Sequence, residues 1–269
     1  MTTTSSKGTA LITGASTGIG AVYADRLAKR GYDLILVARN QDRLAALAKR
    51  LTAATGRAVT TLAADLNNKA DLAKVEATLR DDAAITVLVN NAGVGSVAPL
   101  LQADVDTMED MISLNVTALT RLTYAAVPGF VARGAGTVIN ISSVVGIGVE
   151  MLNGVYGASK AYVLGLSHSL VHELAGKGVR VQAVLPGATA TEFWDVAGYP
   201  HQNMDQSIVM RAEDMVDAAL AGLDQGELVT IPGLQDNADW TSFEAARRAL
   251  SPKFGHSKPA PRYRVKEQA

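Results

Sequence analysis

Short apolar runs, rich in β-branched residues, alternate with longer amphipathic stretches along most of this 269-residue chain. The apolar runs have the length of buried strands and cover residues 9–13, 33–38, 58–63, 86–89, 137–141 and 179–185. Between the second and third runs, Leu44, Leu47, Ala48 and Leu51 have the i, i+3, i+4, i+7 spacing of a helix with one buried face. The pattern therefore predicts strands that alternate with helices.

Such alternation predicts an α/β fold in which helices cover both faces of a parallel sheet. Right-handed crossovers then give a Rossmann-type doubly wound sheet of about seven strands, with the first six in the order 3-2-1-4-5-6. The pattern contains no linker, so we expect one domain over residues 1–269.

Two helical stretches, residues 104–131 and 154–175, carry more apolar residues than one core face needs. One interpretation is a thick, well-buried layer. The other, which we favour, is that these helices also pack against another subunit in a homodimer or homotetramer.

Composition narrows the class of protein. A net charge of -1 and a pI near 6.4 do not favour a nucleic-acid partner, and 48% hydrophobic with 19% charged residues is typical of a globular chain. The absence of cysteine excludes disulfides, thiolate metal sites and a cysteine nucleophile. No apolar run approaches the ~18 residues of a membrane span, and residues 1–8 have no secretory-type apolar segment. We expect a cytoplasmic protein.

Candidate chemistry follows the ends of four predicted strands. In a doubly wound sheet, ligands bind beyond the carboxyl ends of the strands, near the switch point in strand order. Residues 14–20 follow the first strand and residues 90–93 follow the fourth. Ser142 and Ser143 end the fifth strand, and Pro186 and Gly187 follow the sixth. The sequence therefore predicts one site at this edge.

The loop after the first strand is glycine-rich, with the spacing G-x-x-x-G-x-G. Glycines at a strand-to-helix turn permit close approach of a pyrophosphate, which then lies at the positive end of the helix dipole. A plain turn is the alternative, but the position after the first strand favours phosphate binding. The segment is Thr13, Gly14, Ala15, Ser16, Thr17, Gly18, Ile19 and Gly20.

The end of the second strand indicates which dinucleotide would bind. A NAD site places a carboxylate there, against the ribose 2′-hydroxyl, whereas this chain has Ala38 followed by Arg39. Arg43, one helical turn further, would assist Arg39 in pairing with a 2′-phosphate. We therefore expect NADP(H) to be preferred over NAD(H).

Tyr156 and Lys160 stand four residues apart, with Ser143 thirteen residues before the tyrosine. Positions i and i+4 share a helix face, so the phenol and the ammonium can act on one substrate atom. A nearby cation is expected to lower the phenol pKa from ~10 toward neutrality.

Together these segments resemble the short-chain dehydrogenase/reductase family, over about residues 7–232. The resemblance implies that Tyr156 is the general acid in carbonyl reduction and that Ser143 holds the substrate oxygen. It further implies that Lys160 lowers the tyrosine pKa and binds the nicotinamide ribose, and that Asn115 positions a water linking Lys160 to solvent. The remaining implied cofactor contacts are Asp65 and Leu66 at the adenine, Asn91, Ala92 and Gly93 at the adenosine ribose, and Pro186, Gly187, Thr189 and Thr191 at the nicotinamide.

The resemblance implies NADPH-dependent reduction of a small-molecule carbonyl compound to an alcohol. The alternatives are an alcohol dehydrogenase working in the oxidative direction and a non-catalytic NADP(H) sensor. The sensor is less favoured because the chain keeps both Tyr156 and Lys160.

Some segments leave their role open. His168 and His172 have i, i+4 spacing, but Ser169 stands where a zinc protease needs glutamate, so no metal is expected. Residues 192–210, the lid segment, are expected to cover the substrate, with its aromatics either walling the pocket or packing the lid onto the body. Residues 251–269 form a basic, proline-bearing extension, expected to be flexible or to pack on a neighbouring subunit. The loop after the fifth strand is expected to contribute Val144, Ile147, Val149 and Glu150 to the pocket.

Overall fold

A computed structural model describes residues 7–264 of the chain. These residues form two compact units, one ending at Gly233 and the other beginning at Leu234. The predictions for residues 1–6 and 265–269, which include Lys266 of the basic extension, concern positions outside the described residues.

The first unit is built on a parallel sheet of seven strands in the order β3-β2-β1-β4-β5-β6-β9. The predicted order 3-2-1-4-5-6 is confirmed, and the predicted runs match the observed strands to within a residue at most ends. The seven strands are β1 (Thr9–Thr13), β2 (Asp33–Ala38), β3 (Val59–Ala63), β4 (Ile85–Asn90), β5 (Gly136–Ile141), β6 (Val179–Val184) and β9 (Val229–Thr230). The two-residue strands β7 (Thr189–Ala190) and β8 (Met210–Arg211) form a separate parallel ladder.

Helices cover both faces of this sheet, as the alternation predicts. Those of the first unit are α1 (Gly18–Lys29), α2 (Gln41–Thr55), α3 (Lys69–Asp81), α4 (Val105–Ile112), α5 (Leu119–Arg133), α6 (Gly154–Glu173), α7 (Phe193–Ala197) and α8 (Ala212–Asp224). A π-helical turn, Ser113–Ala118, joins α4 to α5, so the predicted single helix over residues 104–131 is interrupted in its winding.

Two hydrophobic clusters hold these layers together, because successive residues of a strand point to opposite faces. Ile12 packs with Leu44 and Leu51 of α2 on one face, and Leu11 packs with Leu122 of α5 on the other. The four residues expected to form the buried face of α2 are its buried residues. Full burial of one leucine contributes roughly 1.5–3 kcal/mol.

The second unit contains α9 (Asn237–Arg248) and two short 3-10 turns, Ser251–Lys253 and Pro261–Tyr263. The Asp236 carboxylate caps α9 by accepting from the amide of Ala238 at 2.8 Å. Arg247 and Arg248 both lie within ion-pair distance of Glu244, which stabilises the last turns of this helix.

Candidate active site

The segments predicted to carry chemistry meet at the carboxyl edge of the sheet, around a cavity of about 890 Å³. Three predicted site residues, Thr13, Gly20 and Asn115, lie behind its wall rather than in it. The predicted residues that line the cavity are Gly14, Ser16, Thr17, Gly18, Ile19, Arg39, Arg43, Asp65, Leu66, Asn91, Ala92, Gly93, Ser143, Tyr156, Lys160, Pro186, Gly187, Thr189 and Thr191.

The glycine-rich loop is fastened to the end of β4. The Asn91 side-chain amide donates to the carbonyls of Thr13 and Gly14, at 2.9 and 3.2 Å. In return, Thr13 Oγ1 accepts from the backbone amides of Asn91 and Ala92, both at 3.0 Å. These bonds explain why Thr13 lies behind the wall: it fixes the loop and leaves Gly14 and Gly18 facing the cavity.

Two glycines of the loop are packed so closely that a side chain at either would displace the loop. Gly14 has a φ of +63°, and a Cβ there would lie 2.8 Å from Asn91 Nδ2. A Cβ at Gly20 would lie 2.3 Å from the carbonyl oxygen of Gly14. Helix α1 begins at Gly18, so its free amides and the positive end of its dipole point at this space. The residues present therefore fit a dinucleotide pyrophosphate.

At the far end of the cavity, Arg39 and Arg43 follow Ala38 at the end of β2. The Asn40 side chain caps α2 by accepting from the amide of Arg43 at 3.0 Å, which fixes the start of the helix. No acidic side chain stands at the end of β2, so the charge here suits a 2′-phosphate. The Arg43 guanidinium is paired with Glu192 of the lid segment, Nη1 to Oε2, at 2.7 Å.

The catalytic candidates lie together between β5 and α6. Tyr156 and Lys160 are both only 6% exposed, and Ser143 is 8% exposed. Lys160 Nζ lies 5.8 Å from the centre of the Tyr156 ring and donates to the carbonyl of Ile141 at 3.0 Å. Ser142, the neighbour of Ser143, donates to the carbonyl of Lys160 at 2.7 Å and so anchors α6 to the end of β5.

The expected direction of the tyrosine pKa is wrong for this structure. Burial raises the pKa of Tyr156 to about 12, and a hydrogen bond with Ser143 only partly offsets that rise. Burial also lowers the pKa of Lys160 to about 8. Desolvation penalises the charged form of each group, and this cost exceeds any attraction between phenolate and ammonium. The phenol is thus fully protonated at neutral pH.

Asn115 lies in the π-helical turn, a feature often found at functional sites. Its amide clamps Val94 on both sides, accepting from the Val94 amide at 3.0 Å and donating to the Val94 carbonyl at 2.8 Å. It also donates to Ser159 Oγ at 3.1 Å. Asn115 thus ties the loop after β4 to the catalytic helix, while the water relay stays a prediction.

The part of the cavity wall formed by the loops after β4 and β5 is mostly apolar, and the sequence predicted only some of its residues. Val144 lines the cavity as expected, but Ile147, Val149 and Glu150 are exposed and are not among its lining residues. The loop turns after Gly148, so Met151 and Leu152 take their place. From the loop after β4, Val94, Gly95 and Val97 also line it; no local pattern marks these positions.

The lid segment is held at both ends. Thr189 pairs with Met210 and Ala190 with Arg211 in the β7–β8 ladder, which closes its base. Inside it, Trp194 is 9% exposed and donates from Nε1 to the carbonyl of Thr189 at 2.9 Å. Both roles expected for the aromatics of the lid segment are therefore present. Trp194 packs the segment onto the rest of the first unit, and Phe193 lines the cavity.

Residues 7–264 contain neither a metal-binding cluster nor a membrane-spanning helix. No group of three or more His, Cys, Asp or Glu side chains there is arranged to hold a metal ion. No helix in this part of the chain is long and apolar enough to cross a membrane.

Comparisons with known proteins agree with this geometry. The family model described as short chain dehydrogenase matches residues 8–198. An uncharacterised oxidoreductase of Staphylococcus saprophyticus is 33% identical over 224 residues, which cover 82% of this chain and 93% of the relative.

Two solved structures are similar over nearly their whole length. A short-chain dehydrogenase from Sphingobium yanoikuyae in complex with NADPH has 49% identity and a TM-score of 0.92, covering 94% of this chain and 98% of the other. A bulky-bulky ketone specific alcohol dehydrogenase from Comamonas testosteroni has 42% identity and a TM-score of 0.89, covering 96% and 99%.

Proposed function

Because this chain belongs to the short-chain dehydrogenase/reductase family, we propose that it reduces apolar ketones to secondary alcohols with NADPH. One observation carries the proposal. The buried phenol of Tyr156, close to Ser143, lines a cavity that Arg39 and Arg43 also line and whose wall at the lid segment is mostly apolar.

The residues divide the reaction between them. Ser143 and Tyr156 bind the substrate oxygen and so fix the carbonyl carbon in one orientation. Tyr156 then donates its phenolic proton to that oxygen. Gly14, Gly18, Arg39 and Arg43 would hold the cofactor, which supplies the hydride when bound. Lys160 and Asn115 lie behind the tyrosine, where they would return a proton to it.

The protonation state of Tyr156 supports the reductive direction. With a pKa raised to about 12, the phenol carries its proton at any physiological pH, so the form that carbonyl reduction starts from is the resting form. Oxidation of an alcohol would require the phenolate, which burial disfavours. We therefore place reduction ahead of the oxidative alternative.

The arginines at the end of β2 support NADPH over NADH. Arg39 is exposed and follows Ala38, so no carboxylate at that strand end would repel a 2′-phosphate. Charge-assisted hydrogen bonds from arginine to phosphate are strong and often bidentate. The complex of the Sphingobium structure with NADPH agrees with this choice.

The substrate class follows from the lid end of the cavity. Most side chains that line it there are apolar, among them Val144, Met151, Leu152, Val196, Met204 and Ile208, while the lid carboxylate Glu192 is paired with Arg43. Glu150, the one charged residue expected in this wall, does not line the cavity. A substrate carboxylate or phosphate would find no counter-charge among these side chains, whereas a ketone with apolar substituents would be well buried. The ketone specificity of the Comamonas relative points the same way.

We also propose that the protein self-associates through α5 and α6. Tyr124 is 68% exposed and Tyr162 is 40% exposed, and the Tyr162 hydroxyl hydrogen-bonds with Thr120 of α5 at 2.8 Å. Exposed aromatics on two adjacent helices suit a symmetric interface. Sedimentation at micromolar concentration tests this; a monomer at that concentration contradicts it.

The function is tested by following NADPH oxidation with aryl ketones, aldehydes and quinones. We expect turnover with aryl ketones, and loss of at least a thousandfold in kcat for Tyr156→Phe with NADPH affinity retained. Failure of the wild type to oxidise NADPH with any aryl ketone, or full activity of Tyr156→Phe, contradicts the proposal.

A further inference from the structure

An aromatic ring of the lid segment lies beside Tyr156. The centre of the Phe193 ring lies 5.7 Å from that of Tyr156, with an angle of 44° between the planes. Trp194 meets the same ring edge-on, with centroids 5.2 Å apart at 89°. Because the Trp194 indole is hydrogen-bonded to Thr189, it fixes one side of the Phe193 ring.

A buried glycine supports the tip of this ring. A Cβ placed on Gly95 would lie 2.4 Å from Phe193 Cζ and 3.1 and 3.2 Å from its two Cε atoms. Real Cβ atoms do not approach other atoms so closely. The φ of Gly95 is not positive, so the backbone at this position would accept alanine. A glycine is therefore needed at position 95 because the ring of Phe193 occupies the volume that a side chain there would fill.

The helix that carries Phe193 cannot easily withdraw from Gly95. The amide of Val97, two residues after the glycine, donates to the carbonyl of Ala197 at the end of α7, at 3.0 Å. The β7–β8 ladder closes the base of the same segment. A side chain at position 95 would thus have to rotate the ring itself, since both ends of α7 are tethered.

We propose that Gly95 and Phe193 together form a specificity-determining pair, in which the glycine seats the ring that limits the size of one ketone substituent beside Tyr156. Val94 and Gly95 line the cavity on one side of this ring, and Val145 and Tyr156 belong to the same apolar cluster. The inference rests on the proposed function, because the substituent in question is that of a ketone bound at Tyr156 and Ser143.

The test uses two ketones that differ in one substituent, acetophenone and benzophenone, with NADPH. The measured quantity is the ratio of kcat/KM for benzophenone to that for acetophenone. We expect Phe193→Ala to raise this ratio by about tenfold or more, because it removes the wall that opposes the second phenyl group. Phe193→Leu, which keeps a smaller apolar side chain, should raise it by less.

Gly95→Ala tests whether the space at Gly95 positions the Phe193 ring. We expect it to change the ratio by about threefold or more when Phe193 is present, and by less than about twofold when position 193 is alanine. The control is Gly255→Ala, in the second unit, where an added Cβ meets nothing within 4 Å. An equal effect of Gly95→Ala in both backgrounds, or an unchanged ratio in Phe193→Ala, overturns the proposal.

A second measurement separates this inference from the proposed function. If the wild type reduces neither ketone, the proposed function fails, and the pair is judged by equilibrium binding of the same ketones. Phe193→Ala should then strengthen benzophenone binding relative to acetophenone by about tenfold, and equal affinities for both ketones in wild type and variant would refute the pair.

Discussion

The guanidinium of Arg43 lies 2.7 Å from the carboxylate of Glu192, joining the start of α2 to the first residue of the lid segment. Both side chains are about half exposed, at 50% and 59%, so the pair contributes on the order of 0.2–1 kcal/mol and is screened by salt. Arg43, which we propose binds a 2′-phosphate, is thus also paired with the Glu192 carboxylate of the lid segment. Cofactor binding and lid position are thereby connected through one side chain.

Replacing Glu192 with glutamine should strengthen NADPH binding. The substitution releases Arg43 from a competing carboxylate, so we expect the Kd for NADPH to fall by about two- to fivefold at low salt. The Kd for NADH should not change, because NADH carries no 2′-phosphate. Fluorescence titration at low and high ionic strength measures both constants, and an equal effect on the two cofactors would count against the pairing.

Arg43→Gln is the matched variant and should act in the opposite direction. Loss of a charge-assisted hydrogen bond to phosphate costs about 1.5–3 kcal/mol, so NADPH affinity should fall by tenfold or more. NADH affinity should again stay constant, which separates loss of a phosphate contact from damage to the fold.

Gly20→Ala should impair nucleotide binding although α1 tolerates alanine elsewhere. Its Cβ would meet the carbonyl oxygen of Gly14 at 2.3 Å, so the glycine-rich loop must shift. We expect at least a tenfold rise in the Kd for NADPH. Gly165→Ala is the control, since it lies in α6 with nothing within 4 Å of its Cβ and should stabilise that helix by up to about 1 kcal/mol. Similar NADPH affinities in Gly20→Ala and Gly165→Ala would contradict the proposal that the glycine-rich loop binds the pyrophosphate.

Asn115→Ala should weaken both stability and turnover. It leaves the amide and carbonyl of Val94 without their side-chain partner in a buried site, at a cost of about 1–3 kcal/mol. Thermal unfolding measures this loss, and kcat should fall because Gly93, the residue before Val94, lies close to Lys160 Nζ. Asn67→Ala, which removes an exposed hydrogen bond to Asp110, should change stability by less than about 0.5 kcal/mol.

The pH dependence of stability should reveal the buried lysine. The pKa of Lys160 is about 8 in the folded protein against an ordinary value of 10.5. Between these values the unfolded chain binds a proton that the folded one does not, so the free energy of unfolding rises with pH, by up to ~1.4 kcal/mol per unit. Below pH 8 the folded and unfolded chains both bind this proton, so the stability gained at higher pH is lost.

Lys160→Met removes this group and should flatten that part of the profile. Denaturant unfolding of wild type and variant at pH 7, 8, 9 and 10 gives the comparison. Tyr156 does not interfere below pH 10, because its raised pKa affects stability only between its ordinary value near 10 and about 12. Parallel profiles for the two proteins would mean that Lys160 keeps its ordinary pKa.

Local pattern predicted most of the fold because strand and helix periodicity depend on neighbouring residues. The apolar spacing of α2 located its buried face, and the six long strands followed in their predicted order. The pattern did not locate the π-helical turn around Asn115 or the β7–β8 ladder. Both depend on contacts with distant segments, and two-residue strands carry no periodicity of their own.

For the site, strand order and loop position along the chain were enough to predict which residues gather at the carboxyl edge. Their effects on one another depend on the folded structure. It set the pKa of Tyr156 above its ordinary value, through burial that no spacing reveals. It paired Arg43 with Glu192, 149 residues away, and seated Phe193 on Gly95. Such relationships arise only where separate elements pack, because distance and desolvation, unlike order along the chain, are properties of the folded molecule.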